Sequence, residues 1–224
     1  MTAQSDEAAR LLESWEENAA AWTSAVRSGA IESRRLATDA AILDAVLERR
    51  PRKVLDLGCG EGWLTRALAE RGVEAVGVDG AAPLVEAATQ AGGSFVQLSY
   101  AELIAAPLRC GEGFDLLVAN FALLEQEIGP LLRALRRIMT PDGWLLVQTL
   151  HPLAAGPPYE DGWRTEDFRG FGEGTWTPMP WYFRTLGSWV GVLRDGGFAL
   201  HGLREPAHPQ ERRPLSLLLE ARAI

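Results

Sequence analysis

Val54-Leu55-Asp56-Leu57-Gly58-Cys59-Gly60-Glu61-Gly62-Trp63-Leu64 decides how this chain is read. Apolar, strand-compatible residues run into three glycines at alternate positions, and a helical pattern of Leu64, Ala67 and Leu68 begins at once. The pattern predicts a strand, a tight turn and a helix. Glycine serves where the backbone takes positive φ or a ligand comes close to it, and the amides at a helix start attract ligands. Gly58, Gly60 and Gly62 therefore mark a candidate binding turn. A dinucleotide turn needs its third glycine three positions after the second, where this chain has Trp63; Gly62 comes two after. No Lys-Ser or Lys-Thr pair follows, which also removes the nucleoside-triphosphate loop.

Downstream, strands and helices alternate. Strands are expected at 74–79, 94–98, 114–119 and 144–150, and helices at 64–69, 83–90, 101–105 and 130–138, with Asp142-Gly143 read as a turn before the fifth strand. Near-continuous apolar strands joined by helices belong to a parallel sheet covered on both faces, so the fold class is doubly wound α/β. Past a helix at 185–194, strands at 198–203 and 215–223 flank a polar, proline-containing turn and suit an antiparallel hairpin. Upstream, Ser5 with Asp6 and Glu7 starts a helix to about Ser28, and a second helix spans 38–50. In one reading Trp15 and Trp22 only pack on the domain body. In the other this segment closes over a ligand, with Trp22 and Arg34 facing it.

Residues 151–184 break the alternation. They hold three of the eight Trp, two of the three Tyr and three of the seven Phe, among many Gly and Pro. A loop this long at the end of a sheet strand is a functional candidate.

Bulk properties narrow the function classes. The 224 residues are 47% hydrophobic, and 30 acidic against 22 basic residues give a net charge of -8. With no basic run, no nucleic-acid partner is expected. No apolar stretch reaches the ~20 residues of a membrane span and no signal pattern opens the chain, so no membrane partner and a cytoplasmic location are expected. Cys59 and Cys110 make no disulfide framework, and the scattered His151, His201 and His208 make no metal cluster. Oligomeric state is not readable.

In an open α/β sheet, ligands lie at the carboxyl ends of the strands. Asp79 ends the second strand 21 residues after Gly58. A carboxylate there can accept hydrogen bonds from both hydroxyls of a ribose lying on the turn. Asp56, in the first strand, needs donors or a cation nearby; it can order the turn by accepting its amides or meet a ligand's amino group through water. His151, directly after the fifth strand, can serve as a general base or simply pack against Pro152.

The acidic residue followed by GxGxG resembles motif I of the class I S-adenosylmethionine (SAM) dependent methyltransferases. Phe114-Asp115 with Asn120-Phe121-Ala122 resembles that family's motif around the fourth strand, and Pro141-Asp142-Gly143-Trp144-Leu145 the turn before its fifth. Trp181-Tyr182-Phe183-Arg184-Thr185-Leu186 is similar to the region before the last long helix of its small-molecule members. The likeness covers about residues 50–150 and the final hairpin. It implies a Rossmann-like sheet of seven strands, mostly parallel with an antiparallel C-terminal hairpin. It implies one domain over 1–224, with 1–50 as an N-terminal helical segment and 151–184 as a lid or acceptor region.

The implied cofactor is SAM, with S-adenosylhomocysteine (SAH) as product. The implied contacts are Asp56, Gly58, Cys59, Gly60, Gly62 and Trp63 in the turn, then Asp79, Gly80 and Leu84. Ser99, Tyr100 and Ala101 would flank the adenine, although many relatives carry an Asp where Ser99 or Tyr100 stands. Asn120, Phe121 and Ala122 would meet the methionine part, and Trp22 and Arg34 would cover the cofactor. Acceptor contacts are expected from Tyr159, Trp163, Trp176, Trp181, Tyr182 and Arg184, around a planar or apolar small molecule. The expected activity is methyl transfer to that molecule by in-line displacement. A SAM-binding module without turnover is the alternative; a nicotinamide-dependent oxidoreductase is disfavoured by Trp63.

Overall fold

The strand and turn of residues 54–62 lie at the middle of a seven-stranded sheet. The computed structural model describes residues 3–224, with side chains from Glu7 onward; α1 begins at Ala3, before the start expected at Ser5, and the capping side chains of Ser5 and Asp6 lie outside what is described. In chain order the elements are α1 (Ala3–Ser28), a π-helical turn (Arg34–Thr38), α2 (Asp39–Glu48), β1 (Lys53–Leu57), α3 (Trp63–Ala69), β2 (Glu74–Asp79) and α4 (Ala82–Gln90). Next come β3 (Ser94–Gln97), α5 (Tyr100–Ala105), β4 (Phe114–Asn120), α6 (Gly129–Arg136), β5 (Met139–Leu150) and the short α7 (Pro152–Ala155). The chain ends with β6 (Gly162–Glu166), β7 (Met179–Phe183), α8 (Leu186–Asp195), β8 (Phe198–Arg204) and β9 (Ser216–Ala223).

The main sheet runs β3-β2-β1-β4-β5-β9-β8. Only β9 opposes its neighbours, pairing antiparallel with both β5 and β8. This is the expected Rossmann-like sheet with its antiparallel C-terminal hairpin. Alternate strand residues feed two cores, as a doubly covered sheet requires. Leu117 and Ala119 of β4 join Leu131 and Leu135 of α6 on one face, while Leu116 and Val118 join Ile42, Val46, Leu64 and Leu68 on the other.

Two expectations fail. Asp142-Gly143 is not a turn: β5 continues through it from Met139, its pairing with β4 shifting register between Phe114 and Leu116, and Arg222 of β9 holds the Asp142 carboxylate at 2.7 Å. Residues 151–184 are not wholly loop, since β6 and β7 pair as an antiparallel ribbon apart from the main sheet.

The glycine turn is stiff. Gly58 and Cys59 donate their amides to the Val78 carbonyl, tying the turn to β2. Gly62 has φ +84°, and a Cβ there would meet the Phe95 ring and Ala88 Cβ at 3.0 Å or less. The third glycine is thus demanded by helix–strand packing and backbone conformation, not by a ligand.

Candidate functional site

At the carboxyl ends of β1, β2 and β4 the sheet opens into a cavity of two lobes, about 460 and 280 Å³. Trp15, Trp22, Gly58, Gly60, Asn120 and Phe121 wall both. The junction is strained at Phe121, whose φ of +54° is unusual for a bulky residue and whose amide donates to the Gln148 carbonyl. Gln148 also donates its side-chain amide to Asn120 Oδ1 at 2.7 Å. That bond commits Asn120 Oδ1 and leaves its amino group to the cavity.

The larger lobe lies over the end of β2. Asp79 accepts the Gly60 amide on Oδ2 and the Ala81 amide on Oδ1, each at 2.9 Å. Burial pushes the Asp79 carboxyl up, against the pull of these amides. Gly80, Leu84, Ser99, Tyr100, Ala101 and Ala122 complete this wall. Neither expected hydroxyl is open to a ligand. Ser99 caps α5, exchanging hydrogen bonds with Glu102, and Tyr100 Oη donates to the Ala122 carbonyl at 2.9 Å.

The smaller lobe is aromatic. Arg34 Nε is fixed by both oxygens of Asp39, and its guanidinium lies over Trp63 and Trp22 at 4.9 and 5.9 Å. Cys59 and Asp56 are also on this wall. Asp56, 2% exposed, accepts the Thr65 hydroxyl at 2.7 Å. It does not order the turn through its amides, which go to Val78 and Asp79. Burial raises its pKa from 3.8 to about 7, with Thr65 opposing. The native state therefore holds a proton that the unfolded chain has released between these values, and stability falls as pH rises through that window. Asp56→Asn is expected to unfold at a higher temperature than the parent at pH 8, with the gap narrowing steadily toward pH 4; equal curves at pH 8 would refute this burial cost.

Two walls meet over the cavity. Asn18 of α1, fully buried, accepts the Thr177 amide at 2.8 Å and donates to the Thr177 carbonyl at 2.9 Å, tying α1 to the insert. Trp15 packs edge-on to Phe168 and Trp22 to Phe171, with Trp176 stacked on Phe168. Arg27 of α1 reaches the buried Glu61 of the glycine turn, which Arg66 also holds.

Of the residues expected around a cofactor, the structure brings all but Gly62 to the cavity wall. Of the six expected around an acceptor, only Trp181 is there. Tyr159 is 57% exposed, its hydroxyl accepting the Leu186 amide. Trp163 packs on Tyr182 on the outer part of the ribbon, and Trp176 lies behind Phe168. Arg184 is a structural anchor, 3% exposed, donating to the carbonyls of Leu123, Glu125 and Gln126. Burial lowers its pKa to about 10, which still leaves it charged at neutral pH. Phe168, Phe171, Glu166 and Met179 from the insert line the smaller lobe instead, and Glu125 the larger.

His151 lies off the cavity wall, 4% exposed. Its Nε2 pairs with Glu205 at 2.8 Å and its Nδ1 accepts the Leu153 amide at 3.1 Å, capping α7. Both ring nitrogens are engaged, so the expected general base has no free nitrogen to act with. His151→Ala is expected to cost about 1 kcal/mol of stability, the usual worth of a cap, and Asn should restore it. Denaturant unfolding of both variants checks this; a stability loss that Asn fails to restore would refute the cap.

The sequence model of a family described as a methyltransferase domain matches residues 54–143. That stretch resembles a methyltransferase domain. The matched stretch carries the glycine turn, Asp79 and Asn120, whereas α1 and the insert lie outside it. The chain is 34% identical over 127 residues to a malonyl-[acyl-carrier protein] O-methyltransferase of Pseudescherichia vulneris, covering 54% of this chain and 48% of that protein. It is 37% identical over 105 residues to a ubiquinone biosynthesis O-methyltransferase of Pseudomonas putida, covering 45% of each. The chain thus spans about half the length of the curated relatives it matches.

Among solved structures, the fold matches a 1,6-didemethyltoxoflavin-N1-methyltransferase of Burkholderia thailandensis, crystallised with 1,6-didemethyltoxoflavin and SAH. The TM-score is 0.67 at 21% identity, over 100% of this chain and 91% of that one. A SAM-dependent methyltransferase of Mesorhizobium loti matches with TM-score 0.61 at 23% identity, over 80% and 95%. Among the described residues no helix is long and apolar enough to cross a membrane.

Proposed function

We propose that this chain is a SAM-dependent methyltransferase acting on a small, planar or apolar acceptor. The observation that carries the reading is the Asp79 carboxylate, clamped to the Gly60 amide at the mouth of a nucleoside-sized lobe that continues into an aromatic one. The site suits the cofactor chemically. A Cβ on Gly60 would point at Trp22 Nε1, 3.3 Å away, so the glycine keeps clear the space between turn and lid. Each Asp79 oxygen keeps a lone pair for a ribose hydroxyl. Asp56, the Asn120 amino group and the Arg34 guanidinium offer partners for the amino and carboxylate ends of an amino acid.

SAM, when bound, supplies a methyl group on a sulfonium. The chain's own part is to align the acceptor and exclude water, a role that suits the Trp15, Trp22, Phe168 and Phe171 cluster lining the smaller lobe. The names of the relatives support methyl transfer to small or carrier-bound molecules. We further take the N-terminal segment and residues 151–184 as the lid and acceptor region of one domain.

Calorimetry with SAM and SAH, followed by transfer of labelled methyl from SAM to a panel of phenols, amines, thiols and carboxylic acids, tests the reading. Binding with transfer supports it, binding without transfer to any of them favours a SAM-binding module, and no binding refutes it.

A further inference from the structure

The larger lobe has a polar gap. An adenine presents an exocyclic amine, and burying it calls for an acceptor. The Ser99 hydroxyl is spent on the α5 cap, the Tyr100 phenol is turned to the Ala122 carbonyl, and the lone pairs that Asp79 keeps beside the turn amides are assigned above to the ribose. One other carboxylate lines this lobe. Glu125, half-buried in the loop after β4, makes no side-chain hydrogen bond or ion pair among the described residues.

Its backbone, by contrast, is pinned. The Arg184 guanidinium binds the carbonyls of Leu123, Glu125 and Gln126, and the Tyr182 amide donates to Leu124 O at 2.8 Å. A loop held at four successive carbonyls presents its one inward carboxylate in a fixed place. Glu125 lines this lobe together with Tyr100 and Ala122. Burial raises the Glu125 carboxyl's pKa, with the Arg184 charge opposing.

Building on the SAM reading above, we propose that Glu125 is the residue that selects the base of the nucleoside, its carboxylate accepting the exocyclic amine of adenine from the β4 loop. The acceptor at this site thus comes from the strand beside the glycine turn instead of from the β3 end.

The test is calorimetry on the full chain with SAH and with its analogue carrying a 6-oxo group in place of the 6-amino group. The parent should prefer SAH by about tenfold or more, the worth of one charge-assisted hydrogen bond. Glu125→Ala should weaken SAH by about that factor and leave the 6-oxo analogue unchanged. Glu125→Gln, whose amide can donate to the 6-oxo group, should narrow the preference while unfolding at the parent's temperature. If Glu125→Ala weakens both nucleosides equally, or neither, the assignment to the base is wrong while the cofactor reading stands. If the parent binds neither, both fall.

Discussion

Asp79→Ala is expected to weaken SAH binding about a hundredfold. Two charge-assisted hydrogen bonds to a ribose, each worth about 1.5–3 kcal/mol net, come to about 3 kcal/mol or more, and 1.4 kcal/mol is tenfold in affinity. The substitution also releases the Gly60 and Ala81 amides that Asp79 holds at 2.9 Å. Some loss of stability should accompany it, so unfolding temperatures must be read beside the calorimetry. Asp79→Asn keeps the shape without the charge and is expected to fall between Ala and the parent. A folded Asp79→Ala protein that binds SAH within twofold of the parent would remove the ribose from this site.

Arg184→Leu is expected to be the most destabilising single change in the site region, at about 3–5 kcal/mol, the range for breaking a buried charged network. The guanidinium is the shared donor for the carbonyls of Leu123, Glu125 and Gln126, and leucine leaves all three without it. Its cation also stacks at about 5 Å on Tyr182 and Trp189, so packing is lost along with hydrogen bonds. Chemical denaturation measures the effect; a loss under 1 kcal/mol would mean that water satisfies those carbonyls and that the anchor is dispensable. Lysine cannot reproduce the fork and should rescue little.

The two substitutions also separate what the sequence disclosed from what it hid. Asp79 and the glycine turn were legible because one strand–helix–strand unit brings them together, and local spacing fixes that geometry. The sequence offers Arg184 as an acceptor contact because nothing local says which way a side chain at a strand end points; its partners lie some 60 residues earlier in sequence. β6 and β7 escaped notice for a related reason. Gly162-Trp163-Arg164-Thr165-Glu166 and Met179-Pro180-Trp181-Tyr182-Phe183 lack clean alternation, and their pairing spans a glycine-rich stretch. Asp142-Gly143 carries turn chemistry, yet it stays within β5 as an irregularity where the pairing with β4 jumps from Met139 to Trp144, with Arg222 holding the Asp142 carboxylate, tertiary context overriding local preference. Glu125 sits in Glu125-Gln126-Glu127, which looks like a solvated run until the fold turns one of its carboxylates inward.

The Asn18–Thr177 link joins the helix that walls both lobes to the segment that walls the aromatic one. Whatever orders α1 therefore orders the acceptor wall too. A nucleoside settling in its own lobe would bear the entropic cost of fixing both, and a second ligand would meet a wall already in place. On the function proposed above, nucleoside and acceptor would be thermodynamically coupled through this link, and reciprocally so: a well-fitting acceptor would tighten the hold on the nucleoside as much as the nucleoside sharpens the choice of acceptor.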